Sequence, residues 1–446
     1  MMIGTDVPAA AGAVPLLGHT LRLLRDPLGY LEAQRAADPL VRLRLGRRDC
    51  YLVNRTDLAV RALTTQQDDF DKGGPFMEAA RLLVGNGIIT CDADDHRGQL
   101  PLLQPAFHRR GVEGHAEVMR RCVQEVVGSW TDGSAIAVGP AMHRLSSLVI
   151  ARTLVSAPTG HRAAAVMAET LPVLLRGLFR RMVLPPPWPH RLPTPANRRF
   201  AGATARLDGA IAEVVAQYRG SGEGRDDLLS RLVGATSGDG RRLTDREIRD
   251  QVMSLLSAGI ETTATLLTWT CHVLARNDEV AANLRAEVDQ VASGCPPAFA
   301  DLAGLRYAKA VLTEALRLYP PTWILSRQAI RETGLGGYAV PDGSVILISP
   351  FALHRDPGLF PDPGAFRPER WLSHDGTARP RQSLLAFGGG RRRCLGELFG
   401  LTEATLALAA VVSRWDLRPV RREPPRTVPR MLLVPEPQPL LVRERR

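Results

Sequence analysis

One cysteine of this sequence stands where a thiolate would be stabilised. Cys394 follows the glycine- and arginine-rich stretch 387–393 and precedes a largely apolar run, 395–412, which predicts a helix. The dipole of such a helix and the neighbouring arginines both favour the thiolate form. The glycines let the backbone turn tightly and approach a flat ligand. The pattern indicates either a metal-bound thiolate or a reactive thiol.

Three interpretations of Cys394 stay open from the residues alone. As an axial ligand of haem iron, a thiolate pushes electron density onto the metal and favours O–O cleavage. A phosphate-binding loop would normally follow a strand and carry Lys with Ser or Thr, which this stretch lacks. A nucleophilic cysteine would need a paired histidine, and none is close in sequence. The metal-ligand interpretation fits best.

An acid and an alcohol stand side by side in the longest predicted helix. A capping box that begins at Thr244 starts this helix, which is expected to run to about Arg276. Glu261 and Thr262 lie near its middle, and Gly259 removes side-chain bulk beside them, which leaves room for a ligand to approach the backbone. Such a pair in an apolar pocket suits proton delivery during dioxygen reduction. The alternative is a threonine that bonds the carbonyl one turn earlier and bends the helix without chemistry.

A third motif, Glu314 and Arg317, predicts an ion pair on one face of a helix over 301–319. Exposed pairs of this kind contribute little to stability. Arg370, in a Pro-Glu-Arg-Trp stretch downstream, could close a buried three-residue network with them. We expect such a network to anchor the cysteine stretch.

The elements around these motifs are mainly helical, with a minor β portion. Helical patterns cover 15–37, 112–183 and 199–219, and a proline-rich loop interrupts them at 185–195. Two hairpins are predicted from alternating segments, one pairing 41–45 with 50–53 and one pairing 338–340 with 345–348. The whole chain, 1–446, is expected to form a single large domain. Its β-rich parts lie at about 41–54 and 325–350, and its helical core at about 110–320 and 395–413.

Composition excludes several classes of protein. The 446 residues are 45% hydrophobic, which is typical of a globular protein. The net charge is +11, but only Lys72 and Lys309 are lysines and the many arginines are scattered. Without a basic stripe interleaved with aromatic residues, nucleic-acid binding is not expected, whereas an acidic protein partner is. No two of the six cysteines form a Cys-x-x-Cys pair, so a structural zinc site is not expected.

Nothing in the sequence predicts insertion into a membrane. No uninterrupted apolar run approaches the ~20 residues that span a bilayer. Residues 1–14 lack the basic and apolar regions of a signal peptide. We therefore expect a cytoplasmic protein without a membrane anchor.

Taken together, the motifs resemble those of the cytochrome P450 family, and the resemblance covers nearly the full chain. The family's cysteine motif, Phe-x-x-Gly-x-Arg-x-Cys-x-Gly, is matched by Phe387, Gly390, Arg392, Cys394 and Gly396. Its central-helix motif is matched by Ala258, Gly259, Glu261 and Thr262, and its Glu-x-x-Arg pair and later arginine by Glu314, Arg317 and Arg370. The three motifs follow one another in the family's order and spacing. The resemblance implies the P450 fold and a monooxygenase with non-covalent haem b.

The resemblance also implies residues that hold the haem. Cys394 would be the iron ligand, and Arg392 and Arg327 would bind haem propionates. His96 matches the first position of a further propionate motif, but Leu100 stands where the family has arginine. Arg97, one turn off on the same predicted helix, is a candidate to compensate for Leu100.

Partners follow from the same resemblance. Bacterial members use O2 and take electrons from ferredoxin, which ferredoxin reductase reduces. Ferredoxin docks on the cysteine side, where Arg391, Arg392 and Arg393 supply positive charge; a solvated face is the alternative interpretation of these arginines. We expect a monomer.

The segments that contact substrate in this family are apolar here, so we expect a hydrophobic small molecule. Their candidate pocket residues are Phe76, Leu174, Leu178, Ala258, Trp323, Ile324 and Met431. The sequence of the chain, including 191–199, is similar to the sequences of bacterial members that oxidise sesquiterpenes. This similarity predicts that the substrate is a terpenoid of secondary metabolism. A macrolide or polyketide hydroxylase or epoxidase is the alternative. A non-catalytic haem sensor is the alternative from another class.

Overall fold

The computed structural model describes residues 6–46, 48–155, 158–183, 190–221, 227–236, 240–292, 297–372 and 383–445. The chain divides into two compact units. Unit 1 comprises Met1–Met77 and Thr313–Leu395, and unit 2 comprises Glu78–Leu312 and Gly396–Arg446. Most of the predicted proline-rich loop, 184–189, lies outside the described residues.

Unit 1 is built around a five-stranded sheet. Its strands are β1 (Leu40–Leu45), β2 (Arg48–Val53), β3 (Phe70–Asp71), β5 (Leu325–Ala329) and β8 (Val345–Ile348). They lie in the order β1-β2-β8-β5-β3. β1 and β2 form the antiparallel hairpin that the alternating sequence predicts, and β2 pairs in parallel with β8. The buried faces of these strands form much of the apolar core of unit 1.

A glycine pair determines a second hairpin of unit 1, which the sequence interpretation misplaced. β7 (Tyr338–Val340) pairs with β6 (Thr333–Leu335), not with β8. Gly336 and Gly337, which connect them, have φ of 65° and 89°. Two-residue hairpin turns require such positive φ values, and glycine adopts them without strain. The predicted pairing of 338–340 with 345–348 is therefore wrong, because β8 is taken up between β2 and β5.

The α-helices that lie wholly within unit 1 are short. They are α1 (Thr20–Arg25), α2 (Pro27–Gln34), α3 (Thr56–Leu63) and α14 (Pro350–Leu353). The single helix predicted over 15–37 is broken at Asp26. This residue caps α2 by accepting a hydrogen bond from the Gly29 N–H, and Pro27 occupies the first helical position.

Unit 2 is mainly helical. Its helices are α5 (Ala93–Phe107), α6 (Arg109–Gly128), α7 (Val138–Leu154), α8 (Pro158–Val183), α9 (Pro195–Ser221), α10 (Leu228–Gly234), α11 (Asp245–Leu274), α12 (Asp278–Ala292) and α15 (Glu397–Arg414). The boundary between the units falls inside α4 (Pro75–Val84) and α13 (Arg306–Leu318). Among the described residues, no helix has the length and apolarity needed to cross a membrane. The mainly helical class with a minor β portion is confirmed.

α11 is the long helix that the capping box predicts. Its 30 residues correspond to a length of about 45 Å. The Thr244 side chain accepts a hydrogen bond from the Glu247 N–H, and the Glu247 carboxylate accepts one from the Thr244 N–H. Both orphan donors are thereby satisfied, which is why the helix begins here.

Two other predicted helices start later than expected. The helix predicted over 301–319 is a 3-10 turn, Ala300–Ala303, followed by α13. The Glu287 carboxylate accepts hydrogen bonds from the N–H groups of Tyr307 and Ala308, at 2.6 and 2.8 Å. This acceptor satisfies the first turn of α13 and sets its start. α15 begins at Glu397 rather than at 395.

Small sheets complete unit 2. β4 (Ala135–Ile136), β12 (Leu440–Glu444) and β9 (Trp415–Pro419) form one sheet in that order. β10 (Thr427–Pro429) and β11 (Leu433–Pro435) form a separate hairpin. The Trp269 indole on α11 donates a hydrogen bond to the Leu433 carbonyl, which fixes this hairpin against the helix.

Candidate active site

The cysteine loop, residues 387–394 of unit 1, is held in a tight turn. The Cys394 N–H donates to the Phe387 carbonyl at 2.9 Å. Gly390 has a φ of 65°, and a Cβ there would lie 2.0 Å from the Leu63 carbonyl oxygen. Only glycine fits this position, so the spacing of the motif reflects a backbone requirement. The Arg391 N–H also donates to the Gln67 side chain at 2.7 Å, which ties the loop to the turn that follows α3.

Cys394 differs from the other cysteines in exposure. In the part of the chain that the structure describes, Cys50, Cys91, Cys122 and Cys271 are buried, whereas Cys394 is exposed. Burial raises the pKa of Cys50 to about 11 and that of Cys271 to about 12, so these thiols stay protonated. Cys394 is therefore the exposed cysteine among those that the structure describes.

An arginine of this loop and an arginine of β5 form a cationic site in unit 1. Arg392 donates to the Asp71 carboxylate at 2.7 Å, and both side chains are largely buried. Arg327 on β5 is 7% exposed, and a hydrogen bond joins its guanidinium to the Ser326 carbonyl at 2.8 Å. Burial, and then the nearby Arg392, lower the pKa of Arg327 to about 10. Two buried cations lie close to each other here, so the site fits an anionic group such as a haem propionate.

The helix that carries His96 supports only part of its predicted role. α5 begins at the capping residue Asp92, and His96 is buried in its first turns. Arg97 pairs instead with Asp94, and its side chain is 63% exposed. This arrangement favours a surface role for Arg97 over compensation for Leu100.

The centre of α11 carries the acid–alcohol pair, and each member has its own partner. The Glu261 carboxylate and His143 Nε2 on α7 are 2.8 Å apart. The Thr262 hydroxyl donates to the Ala258 carbonyl at 2.6 Å. A Cβ at Gly259 would lie 2.6 Å from the Ile150 side chain, so this glycine lets α7 and α11 approach each other. The predicted reason for Gly259, room for a ligand, is therefore replaced by a packing reason.

The first turns of α11 bind the segment 86–88, which precedes His96. The sequence interpretation did not predict this contact. Asp250 accepts from the Asn86 N–H at 2.8 Å, and Gln251 accepts from the Ile88 N–H at 3.1 Å. Asp250 is 5% exposed and is also paired with Arg249 at 2.8 Å. The signal available in the sequence was an acid and an amide at the start of a helix that is otherwise apolar on its inner face.

The third motif forms a buried network in unit 1. The Glu314 carboxylate accepts from Arg317 at 2.8 and 2.9 Å, from Arg370 at 3.0 Å and from the Trp371 indole at 2.8 Å. Glu314 and Arg317 are fully buried. Arg317 also donates to the carbonyls of His354, Pro363 and Ala365.

A histidine extends this network to the cysteine loop. His354 Nδ1 lies 3.2 Å from the Arg317 carbonyl, and its Nε2 accepts from the Leu385 N–H at 2.8 Å. Complete burial lowers the pKa of His354 to about 3, so the ring is neutral and Nδ1 carries the proton. Leu385 lies two residues before Phe387. Neither His354 nor Trp371 was assigned a role from sequence, because their distance along the chain hides their proximity.

The predicted substrate residues are distributed over both units. In unit 2, Leu174 and Leu178 on α8 are buried, whereas Ala258 on α11 is exposed. In unit 1, the partly buried Trp323 and Ile324 pack against an apolar cluster that includes Leu43. The remaining two are half-buried, namely Phe76 in unit 1 and Met431 in unit 2.

Comparisons with known proteins agree with this geometry. The family model described as Cytochrome P450 matches residues 8–443. A cyclooctatin synthase from Streptomyces melanosporofaciens is 44% identical over 438 residues, covering 96% of this chain and 95% of that protein. A pentalenene oxygenase from Streptomyces avermitilis is 40% identical over 419 residues, covering 92% and 93%.

A third relative and a solved structure complete the comparison. Cyclooctat-9-en-7-ol 5-monooxygenase from Streptomyces melanosporofaciens is 41% identical and covers 92% of this chain and 89% of its own. The crystal structure of the cytochrome P450DA heme domain is similar with a TM-score of 0.89 at 28% identity. It covers 100% of this chain and 99% of that one.

Proposed function

Because this chain belongs to the cytochrome P450 family, we propose that it inserts one oxygen atom of O2 into a terpenoid of secondary metabolism. The observation that carries the proposal is the exposed Cys394 in the same unit as the buried cationic pair Arg327 and Arg392. A cysteine thiolate is the iron ligand in cytochromes P450, and an anion site matches the haem propionates. The terpenoid class is supported by the relatives, whose names refer to oxidation of pentalenene and of cyclooctat-9-en-7-ol.

Non-covalent haem b fits the residues present. We propose that Cys394 binds the iron, that Arg327 and Arg392 hold propionates, and that His96 contributes from α5. When bound, haem supplies the activation of dioxygen. Phe387, Gly390 and Gly396 shape the backbone around the thiolate. The protein's own contribution is to place these groups and to keep the anion site desolvated.

Proton delivery is the role we propose for Glu261 and Thr262. The Thr262 hydroxyl donates its hydrogen to the Ala258 carbonyl at 2.6 Å, so its oxygen is oriented to accept a hydrogen bond from a proton-carrying group at the reacting centre. His143 holds the Glu261 carboxylate at 2.8 Å and orients it. Ala258, one turn earlier, is exposed and leaves room for substrate beside the hydroxyl.

Thr262→Ala is expected to uncouple oxygen reduction from product formation. Loss of one general acid–base group costs about 10²–10⁴-fold in the step that it assists. Electrons should therefore leave as hydrogen peroxide while NADPH is still consumed. The measurement is the ratio of product to NADPH and to peroxide under steady turnover.

Thr270→Ala is the matched control for this prediction. Thr270 is buried on the same helix, and its hydroxyl donates to the Leu266 carbonyl at 2.8 Å. If bending of α11 were all that Thr262 did, the two variants would behave alike. Intact coupling in Thr262→Ala would contradict the proton-delivery role.

The proposed substrate class is tested by turnover of terpenoids and macrolides in parallel. Pentalenene, cyclooctat-9-en-7-ol and a macrolide aglycone are supplied with ferredoxin, ferredoxin reductase, NADPH and labelled dioxygen. We expect a terpenoid product that carries one labelled oxygen atom. Turnover of the macrolide alone would assign the alternative class, and haem without any turnover would indicate a sensor.

Ferredoxin as electron donor, a monomeric state and a cytoplasmic location belong to the same proposal. The acidic partner is expected at the arginines of the cysteine loop, but the structure already balances part of their charge. Arg391 pairs with Asp68, and Arg392 pairs with Asp71. Arg391 and Arg393 are exposed, so both can meet a partner at this loop.

A further inference from the structure

We propose that unit 2 contains a second ligand site, a cavity that binds a neutral apolar molecule carrying a hydroxyl group. The cavity has a volume of about 860 Å³. It lies between α7, α11 and the segment 434–439, and we call it the α7–α11 cavity. Small-molecule sites typically have volumes of about 300–1,000 Å³, so this space is large enough for a ligand.

The α7–α11 cavity differs from the predicted substrate pocket. Along α11 it is lined by Glu261, Ala264, Thr265, Thr268 and His272, which recur at helical spacing on one stripe. That stripe is about 16 Å long. The described lining does not include the predicted pocket residues of unit 2. Of the residues predicted from sequence to form the active site, Glu261 is the one that lines this cavity.

The walls of the cavity are mainly apolar. Most lining residues are Ala, Val, Leu and Pro, including Leu148 and Ala151 on α7 and Pro435 at the end of β11. Water gains few hydrogen bonds in such surroundings, because a buried water needs two to four polar partners. An apolar molecule that displaces this water is therefore favoured.

Two polar atoms in these walls need a partner. Among the described residues, Ser147 Oγ and His272 Nδ1 are buried and have no hydrogen-bond partner. Both residues line the cavity, and they are 5% and 2% exposed. Burial, and then Arg276, lower the pKa of His272 to about 4, so its ring is neutral. A ligand hydroxyl both donates and accepts, so it can pair with the serine hydroxyl or the neutral imidazole once a side-chain rotation turns that group toward the cavity.

The charged groups of the lining favour a neutral ligand. Glu261 is already bound to His143, and Arg152 and Arg144 both pair with Glu125, at 2.8 and 3.4 Å. Glu436 adds a negative charge at the wall, which opposes an anion. A ligand charge would have to be desolvated without a free counter-ion among these groups, at a high cost.

The test is equilibrium dialysis of tritiated farnesol, a neutral terpene alcohol, against the haem-loaded full chain. The haem absorption spectrum is recorded in parallel, because it responds to binding on the haem side. We expect saturable retention that Leu148→Trp weakens by about tenfold or more by filling the cavity. The spectral response to farnesol and to pentalenene should be unchanged in that variant. This readout is binding, so it is independent of the proposed oxidation.

Two further variants test whether farnesol is retained in the α7–α11 cavity. Ser147→Ala removes one hydroxyl, and loss of one neutral hydrogen bond should weaken retention about two- to tenfold. Leu24→Trp makes the same change as Leu148→Trp at an exposed position of α1 in unit 1, and should retain farnesol as the wild type does. Absence of retention, or retention that neither Leu148→Trp nor Ser147→Ala weakens, would overturn the second site.

Discussion

Cys394→Ala is expected to abolish the red-shifted absorption that thiolate-bound haem shows after reduction and binding of carbon monoxide. The alanine removes the sulfur that we assign as iron ligand, and the other described cysteines are buried. Any haem that is still held would rest on weaker contacts, such as those of Arg327 and Arg392. We therefore also expect monooxygenase activity to be lost. The measurements are the carbon monoxide difference spectrum and the ratio of haem to protein.

Cys50→Ala is the control for that experiment. Cys50 lies on β2 in the same unit, and burial keeps its thiol protonated by raising its pKa to about 11. This variant should keep the thiolate-type spectrum. Persistence of that spectrum in Cys394→Ala would refute the ligand assignment, and with it the proposed function.

Glu314→Ala is expected to prevent the formation of a stable, haem-containing protein. The substitution removes the acceptor for Arg317, Arg370 and the Trp371 indole, and it leaves Arg317 charged and fully buried. Breaking a buried pair from one side costs about 3–5 kcal/mol. Total stabilities are about 5–15 kcal/mol, so this is a large share of the whole. Soluble yield, haem content and urea unfolding measure the effect.

Glu117→Ala provides a matched comparison on α6. Glu117 and Arg120 have the same spacing and the same two-bond geometry, at 2.8 Å each, but the Glu117 side chain is 57% exposed. Exposed pairs contribute little because water already solvates both charges. We expect normal haem content and unfolding in this variant. Equal damage from the two substitutions would mean that burial does not explain the role of Glu314.

Local sequence patterns were sufficient to predict an element where residues close in sequence satisfy its backbone hydrogen bonds. The capping box at Thr244 predicted the start of α11, and the alternating residues of β1 and β2 predicted their hairpin, because both depend on residues close in sequence. The misplaced hairpin had a local signal too, the pair Gly336 and Gly337. It was missed because Pro341-Asp-Gly343 is an equally good turn sequence.

Contacts between residues far apart in sequence explain why some elements begin at residues other than those predicted. α13 starts where Glu287, on the preceding helix α12, accepts hydrogen bonds from its first N–H groups. A buried acid of α15 shows the same dependence. Glu403 accepts from the Ser146 hydroxyl on α7 at 2.6 Å, and complete burial raises its pKa to about 8. Nothing within its own helix indicates a protonated carboxyl.

For the site, the sequence by itself determined the residue types and the order in which they occur. Cys394, the Glu261–Thr262 pair and the Glu314–Arg317 pair are each contained in a short motif, so they can be recognised from their spacing along the sequence. The tertiary structure alone decided their partners. In the folded chain Glu261 pairs with His143, and Arg392 pairs with Asp71. Arg317 is linked through His354 to the segment just before the cysteine loop. Those groups are far apart along the chain, and hydrogen bonds and burial depend on distance in space.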